Sequence, residues 1–122
     1  FGPMLGQSHH FNAYSPERIK SAMDRYTNEA GRLYHVLDRR LAARDYVAGD
    51  YSIADMAIFP WCRLYERQGQ DINTYPNVLR WFEVVAARPA VAKDMEKTED
   101  KPPEFTQESW SMLFGTEQYV PR

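Results

Sequence analysis

The chain has 122 residues, 43% hydrophobic and 26% charged, a balance typical of one ordinary globular domain with its own core. Its formal net charge of -2 lacks the basic excess that nucleic acid or an anionic membrane usually requires, so we expect neither as a partner. No apolar stretch approaches the ~20 residues that would span a bilayer.

Residues 1–12 combine glycine and apolar side chains and end in His9-His10-Phe11-Asn12. Two glycines and a proline among the first six residues make a regular helix uncertain here. The chain opens in mid-pattern and without Met, which indicates a fragment. We therefore interpret this stretch as the tail of a helix whose start lies outside the chain.

A long amphipathic helix is predicted from Ser15-Pro16-Glu17, where Ser caps, Pro suits the first turn and Glu suits the positive helix end. Its apolar positions recur at steps of three and four as far as about residue 44. They are Ile19, Met23, Tyr26, Ala30, Leu33, Leu37 and Leu41. Arginines seven residues apart form a stripe on its other side: Arg18, Arg25, Arg32 and Arg39.

A capping box opens the next predicted helix, over residues 52–68. Ser52 is placed to accept from the amide three residues on, and Asp55 to accept from the Ser52 amide, with Tyr51 and Met56 spaced as a hydrophobic staple. The segment is apolar nearly all round, which predicts a buried central helix that Pro60 bends. Cys62 lies in this run, so we interpret the single cysteine as a buried apolar residue. A chain without disulfides fits a reducing compartment.

Two shorter helices are predicted after a polar loop, one from Tyr75-Pro76 to about residue 88 and one from Pro89 to about residue 97. Residues 98–104 are charged and rich in proline, so we expect an extended stretch. The tail then carries Trp110, Phe114 and Tyr119, and we expect it to lie across the domain or a neighbouring chain. The predicted fold is an all-α bundle of about five helices around the 52–68 helix.

The order of these motifs resembles the C-terminal domain of cytosolic glutathione transferases over roughly residues 1–95. The resemblance rests on "Ser-Ile-Ala-Asp", then "Tyr-Pro-Asn-Val-Leu-Arg-Trp-Phe" and "Ala-Arg-Pro-Ala-Val". The segments "Gly-Pro-Met-Leu-Gly-Gln", "Asp-Arg-Tyr-Thr" and "Arg-Leu-Tyr" are similar to the bacterial nu class, whose members are glutathione-dependent disulfide-bond reductases.

The resemblance implies a helical domain over residues 1–97 and an extension over residues 98–122 that packs on it or on a dimer partner. It also implies a thioredoxin-like N-terminal domain that this chain does not contain. The expected protein is a cytoplasmic homodimeric enzyme that uses glutathione and a small electrophile or disulfide, and this chain alone is expected to be inactive. The alternative is a non-catalytic regulatory or interaction module on the same fold.

The resemblance implies that Arg25 reaches across the dimer to a glutathione carboxylate, with Arg32 as second choice; a solvated helix face is the alternative for this stripe. Gln7, His10, Phe11 and Tyr26 are the candidates for the second-substrate pocket, although core packing also explains these residues. Tyr34 is a further candidate for the cleft. Ser52 and Asp55 are interpreted as structural, and we expect no metal site and no catalytic residue in this chain.

Overall fold

The structure is a computed structural model that describes residues 1–97 and 106–115. These residues form six α-helices and no β-strand, so the predicted all-α fold is confirmed. The helices are α1 Gly2–His9, α2 Lys20–Leu41, α3 Ile53–Cys62, α4 Pro76–Ala86, α5 Pro89–Lys97 and α6 Gln107–Phe114. The expectations for residues 98–105 and for Tyr119 lie outside the described residues.

The N-terminal segment is helical despite its glycines. α1 has proline in its first turn, and a π-helical turn, His10–Tyr14, continues directly from it. Gly2 and Gly6 lie where the indole of Trp61 packs, and a methyl group on Gly2 would come within 3.0 Å of that ring. Gly2 therefore serves the close approach of α1 to α3.

α2 begins at Lys20, so the predicted start at Ser15 was wrong. The Ser15 N–H donates to the His10 carbonyl at 2.8 Å, and its hydroxyl donates to the Glu17 carbonyl at 2.7 Å. Ser15 thus ends the π-helical turn and does not cap the next helix. α2 also ends at Leu41, three residues earlier than predicted, and its buried face is Ala30, Tyr34, Leu37 and Leu41.

α3 begins immediately after Ser52, with both capping-box contacts in place. The Ser52 hydroxyl accepts from the Ala54 N–H at 3.2 Å, and the Ser52 N–H donates to Asp55 Oδ2 at 3.0 Å. The helix ends at Cys62, so the prediction that it continues to residue 68 was wrong. The Gln68 side-chain amide donates to the Trp61 carbonyl at 2.7 Å, which occupies the acceptor that another helical turn would use.

The apolar composition of α3 does not bury it on all sides. Asp55, Phe59 and Cys62 form its buried face, whereas Ile53 and Met56 are 81% and 53% exposed. The prediction that α3 is buried on nearly all sides was therefore wrong. Helical spacing turns every third or fourth residue toward α1 and α4 and leaves the others outside.

α4 and α5 lie where the sequence predicts them, and α4 contributes the centre of the core. Trp81 is completely buried between Val78 and Val85. Asp38 of α2 accepts from the N–H groups of Asn77 and Val78, at 2.8 and 3.1 Å, and so satisfies the first turn of α4. These contacts fix α4 against α2, which also packs against α1.

Candidate functional site

A cavity of about 610 Å³ opens on the side of α2 that faces the start of α1. Its lining residues are Met4, Arg25, Tyr26, Asn28, Glu29 and Arg32. All except Met4 lie on α2, within two turns of one another. The structure therefore brings together three residues that the sequence predicts for the site: both glutathione-binding candidates, Arg25 and Arg32, and the pocket candidate Tyr26.

The two cavity arginines differ in what they already bind. Arg32 makes a bidentate ion pair with Glu29, with both N–O distances at 2.8 Å. The hydrogen bond from Arg32 lowers the pKa of Glu29 below its ordinary value, so this carboxylate stays ionised. Arg25 is exposed and makes no hydrogen bond with any described residue. Arg25 is thus the cavity guanidinium whose donors are available to an added carboxylate.

An aromatic group lies beside the cavity and includes further candidates. The rings of Phe11 and Tyr26 are stacked, with centroids 5.3 Å apart and planes at 4°. His10 meets the edge of Phe11 at 5.1 Å. We call the Phe11–Tyr26 pair the ring stack. Its Tyr26 member also lines the cavity. Gln7 is exposed and belongs neither to the cavity lining nor to this group.

α6 covers part of the same aromatic group. Phe114 lies 5.1 Å from the His10 ring and 6.3 Å from the Tyr14 ring, and Trp110 packs on Phe114 at 5.7 Å. Within residues 106–115, α6 thus places Phe114 against the π-helical turn. His10 and Phe114 are far apart in the sequence, so no local pattern could identify Phe114 as the residue that contacts His10.

Tyr34 does not face the cavity. It is completely buried, its hydroxyl donates to Gln68 Oε1 at 2.9 Å, and burial raises its pKa well above the ordinary value. The suggestion that Tyr34 faces the cleft was wrong, because Tyr34 lies on the buried face of α2 and its side chain packs in the core. Met4, Asn28 and Glu29 are lining residues that the sequence interpretation missed. Helical spacing from Arg25 could have identified the last two.

Asp55 is a structural centre away from the cavity. It is completely buried and accepts hydrogen bonds from the Val47 N–H at 3.0 Å, Trp81 Nε1 at 2.8 Å and the Ser52 N–H. Burial by itself raises the pKa of Asp55, but these hydrogen bonds outweigh it, and the pKa lies below the ordinary value. The ionised carboxylate links α3 to α4 and to the preceding loop.

Cys62 is completely buried, and burial raises the pKa of its thiol to about 12. It is therefore protonated at neutral pH and cannot act as a thiolate nucleophile. No group of three or more His, Cys, Asp or Glu side chains within residues 1–97 and 106–115 could hold a metal ion. Over the same ranges, none of the helices has both the length and the apolarity that crossing a membrane requires.

Comparison with known proteins identifies relatives for most of the chain. It is 46% identical over 99 residues to the disulfide-bond oxidoreductase YfcG of Escherichia coli K12. This alignment covers 80% of this chain and 46% of that protein. It is 33% identical over 125 aligned residues to the transcriptional regulator URE2 of Saccharomyces cerevisiae, covering 75% of this chain and 35% of that protein.

A solved structure shows the same fold. A glutathione transferase from Burkholderia graminis, with two glutathione molecules bound per subunit, matches with a TM-score of 0.69 and 37% identity over 82% of this chain and 45% of that one. The chain thus spans less than half the length of each of these relatives. The family model for the glutathione S-transferase C-terminal domain matches residues 3–89. The chain belongs to the glutathione S-transferase family, as a C-terminal domain of that family.

Proposed function

We propose that this chain is the electrophile-side half of a glutathione-dependent disulfide-bond reductase or transferase of the nu class, which acts as a cytoplasmic homodimer. The observation that carries the proposal is the pairing of an available guanidinium, Arg25, with the ring stack at one cavity. Glutathione has carboxylates that Arg25 can bind, and the substituent of a small disulfide or electrophile can pack on the ring stack. The disulfide-bond oxidoreductase relative supports this choice of reaction.

The reaction is thiol–disulfide exchange. A glutathione thiolate attacks one sulfur of the substrate disulfide, a new S–S bond forms as the old one breaks, and the released thiolate takes a proton from solvent. Cys62 is buried and protonated, so it does not supply the thiolate. Activation of the glutathione thiol therefore falls to the thioredoxin-like domain that the family resemblance implies, while this domain binds carboxylate and substituent.

Arg25 is proposed to bind a carboxylate of the glutathione held mainly by the partner subunit. A guanidinium can grip a carboxylate through two parallel N–H···O bonds, which makes it more specific than a lysine at the same place. Arg32 is the weaker candidate, because its Nε and Nη2 atoms already donate to Glu29. Removing Arg25 should thus cost affinity, whereas removing Arg32 should cost less.

The test is glutathione affinity in the full-length protein. Arg25→Ala should raise the glutathione Kd by roughly tenfold or more, since a hydrogen-bonded charge is lost, with the melting temperature unchanged. Arg39→Ala is the matched control, because Arg39 is exposed on the same helix and lies outside the cavity lining. Equal Kd values for the two variants would disprove the role of Arg25.

A non-catalytic regulatory module on the same fold is the second candidate, which the transcriptional-regulator relative supports. The two candidates differ in one assay: reduction of the mixed disulfide of glutathione and 2-hydroxyethanethiol by the full-length protein. An enzyme should turn over this substrate and bind glutathione. Absence of both would favour the module.

A further inference from the structure

The side chain of Asn12 connects the π-helical turn after α1 to α2. The Asn12 side-chain nitrogen donates to Thr27 Oγ1 at 2.9 Å and to the Ser8 carbonyl at 2.9 Å, with the Ser8 hydroxyl oxygen 3.3 Å away. The Asn12 carbonyl in turn accepts from Arg18 Nη1 at 2.9 Å. Asn12 therefore fixes the turn at both its side chain and its backbone.

Thr27 is held from a second direction by the loop that follows Gln68. The Gln70 side-chain amide donates to the Thr27 carbonyl at 2.9 Å. Gly69 lies against the Thr27 side chain so closely that a methyl group there would come within 3.0 Å of Thr27 Cγ2. The π-helical turn and this loop thus both contact α2 at Thr27.

The contacts share a register with the ring stack. Asn12 follows Phe11 in the turn, and Thr27 follows Tyr26 in α2. The hydrogen bond between the second members therefore runs beside the stacking of the first members, at 5.3 Å between ring centroids. Phe11 is carried by a short π-helical turn, which is less regular than an α-helix and leaves its backbone more dependent on such a contact. We call the Asn12–Thr27 pair the clamp.

We propose that Asn12 and Thr27 are positioning residues, which hold the ring stack against the cavity and so set its preference for second substrates with an aromatic substituent. The inference rests on the proposed function, since it concerns the second substrate of that reaction. Neither residue lines the cavity, so each acts through the neighbouring ring. If the ring stack is displaced, the aromatic substituent binds more weakly, but the reaction at the sulfur atoms is unaffected.

The experiment compares Thr27→Val with Thr27→Ser in the full-length protein. Valine keeps the shape of threonine but cannot accept from Asn12, whereas serine keeps the hydroxyl. Steady-state kinetics are measured with two glutathione mixed disulfides, one carrying a benzyl group and one a hydroxyethyl group. Thr27→Val should raise KM for the benzyl substrate by roughly fivefold or more and leave kcat and the hydroxyethyl KM within about twofold. Thr27→Ser should match the wild type.

The outcomes separate the clamp from the proposed function. If Thr27→Val and Thr27→Ser share one benzyl KM, or if both substrates lose equally, the positioning role is wrong. If the wild type reduces neither disulfide, the proposed function fails, and the NMR chemical shifts of the Tyr26 ring decide instead. Unchanged shifts in Thr27→Val would overturn the clamp. Asn12→Ala should reproduce the Thr27→Val result, and serves in its place if that variant does not fold.

Discussion

His9 is a nearly completely buried imidazole, and its Nε2 atom has no hydrogen-bond partner in the described part of the chain. Its ring packs on Tyr14, with centroids 4.6 Å apart. Burial, followed by the charges of Arg67 and His10, lowers the pKa of His9 below its ordinary value. A histidine in the unfolded chain keeps a pKa of about 6.5, so the unfolded chain binds this proton first as the pH falls.

The free energy of unfolding should therefore contain a His9 contribution that is complete above about pH 6.5 and is lost as the pH falls below it. The loss stops once the pH passes the lowered pKa of the folded state. His9→Phe keeps a ring against Tyr14 and should flatten the pH dependence measured by urea unfolding between about pH 7.5 and 5.

His35→Gln is the control for this measurement, because His35 is exposed on α2. That variant should keep the pH dependence of the wild type. An unchanged pH dependence in His9→Phe would show that the buried imidazole does not carry the effect.

Asp55 should be among the most sensitive positions for stability. Its two oxygens accept from the backbone or side chains of Val47, Ser52 and Trp81, and all of these donors lose a partner in Asp55→Ala. Each buried donor left unpaired costs about 1–3 kcal/mol, so the total should exceed about 3 kcal/mol. Ser52→Ala removes only the cap and should cost about 1 kcal/mol. Urea unfolding checks this, and equal losses would contradict the central role of Asp55.

At the scale of helices, regular spacing made most of the fold predictable. α2, α4 and α5 each repeat apolar residues at steps of three and four, and this pattern indicates a helix from the sequence alone. The ends were less predictable. Ser15 and Gln68 each end a helical turn through a contact that depends on tertiary structure or on an irregular turn, so propensity alone placed both boundaries wrongly.

The candidate site was predictable only where it lies on one helix. Arg25, Tyr26 and Arg32 share the cavity because seven residues make almost two helical turns. The stacking of Phe11 on Tyr26 depends instead on how α1 packs on α2, and the contact of His10 with Phe114 depends on where α6 lies. No local pattern specifies either contact, which is why the sequence gives only separate candidates for them.

The packing of α1 on α3 makes opposite predictions for two glycines. A methyl group on Gly6 would meet Trp61 at an ordinary distance of 3.5 Å, whereas one on Gly2 would come within 3.0 Å of the indole. Gly6→Ala should stabilise the chain by about 0.5–1 kcal/mol through the helix preference of alanine. Gly2→Ala should lower the melting temperature, because Trp61 has to move. Thermal unfolding of both variants tests the contact, and shifts in the same direction would argue against it.

At the scale of the whole molecule, the cavity is open at the surface on the side that carries Arg25. Arg25 is exposed, and Met4 beside it is 37% exposed. Under the proposed function, a second subunit brings its glutathione to this guanidinium. Glutathione would then contact both subunits of the dimer, and its binding free energy would be coupled to the free energy of association.

This coupling gives the last prediction, because linkage is reciprocal. If dimerisation raises the glutathione affinity of each site by some factor through the partner subunit's Arg25, saturating glutathione must lower the dimer Kd by the square of that factor, because the dimer has two such sites. Sedimentation equilibrium with and without glutathione should show a dimer Kd that falls by roughly a hundredfold or more, the square of the tenfold loss expected at each site for Arg25→Ala. In Arg25→Ala the dimer Kd should become nearly independent of glutathione, while Arg39→Ala should behave as the wild type. If glutathione does not change the dimer Kd of the wild type, Arg25 does not bind the glutathione of the partner subunit. Arg25 would then bind a carboxylate within its own subunit or would not bind glutathione at all.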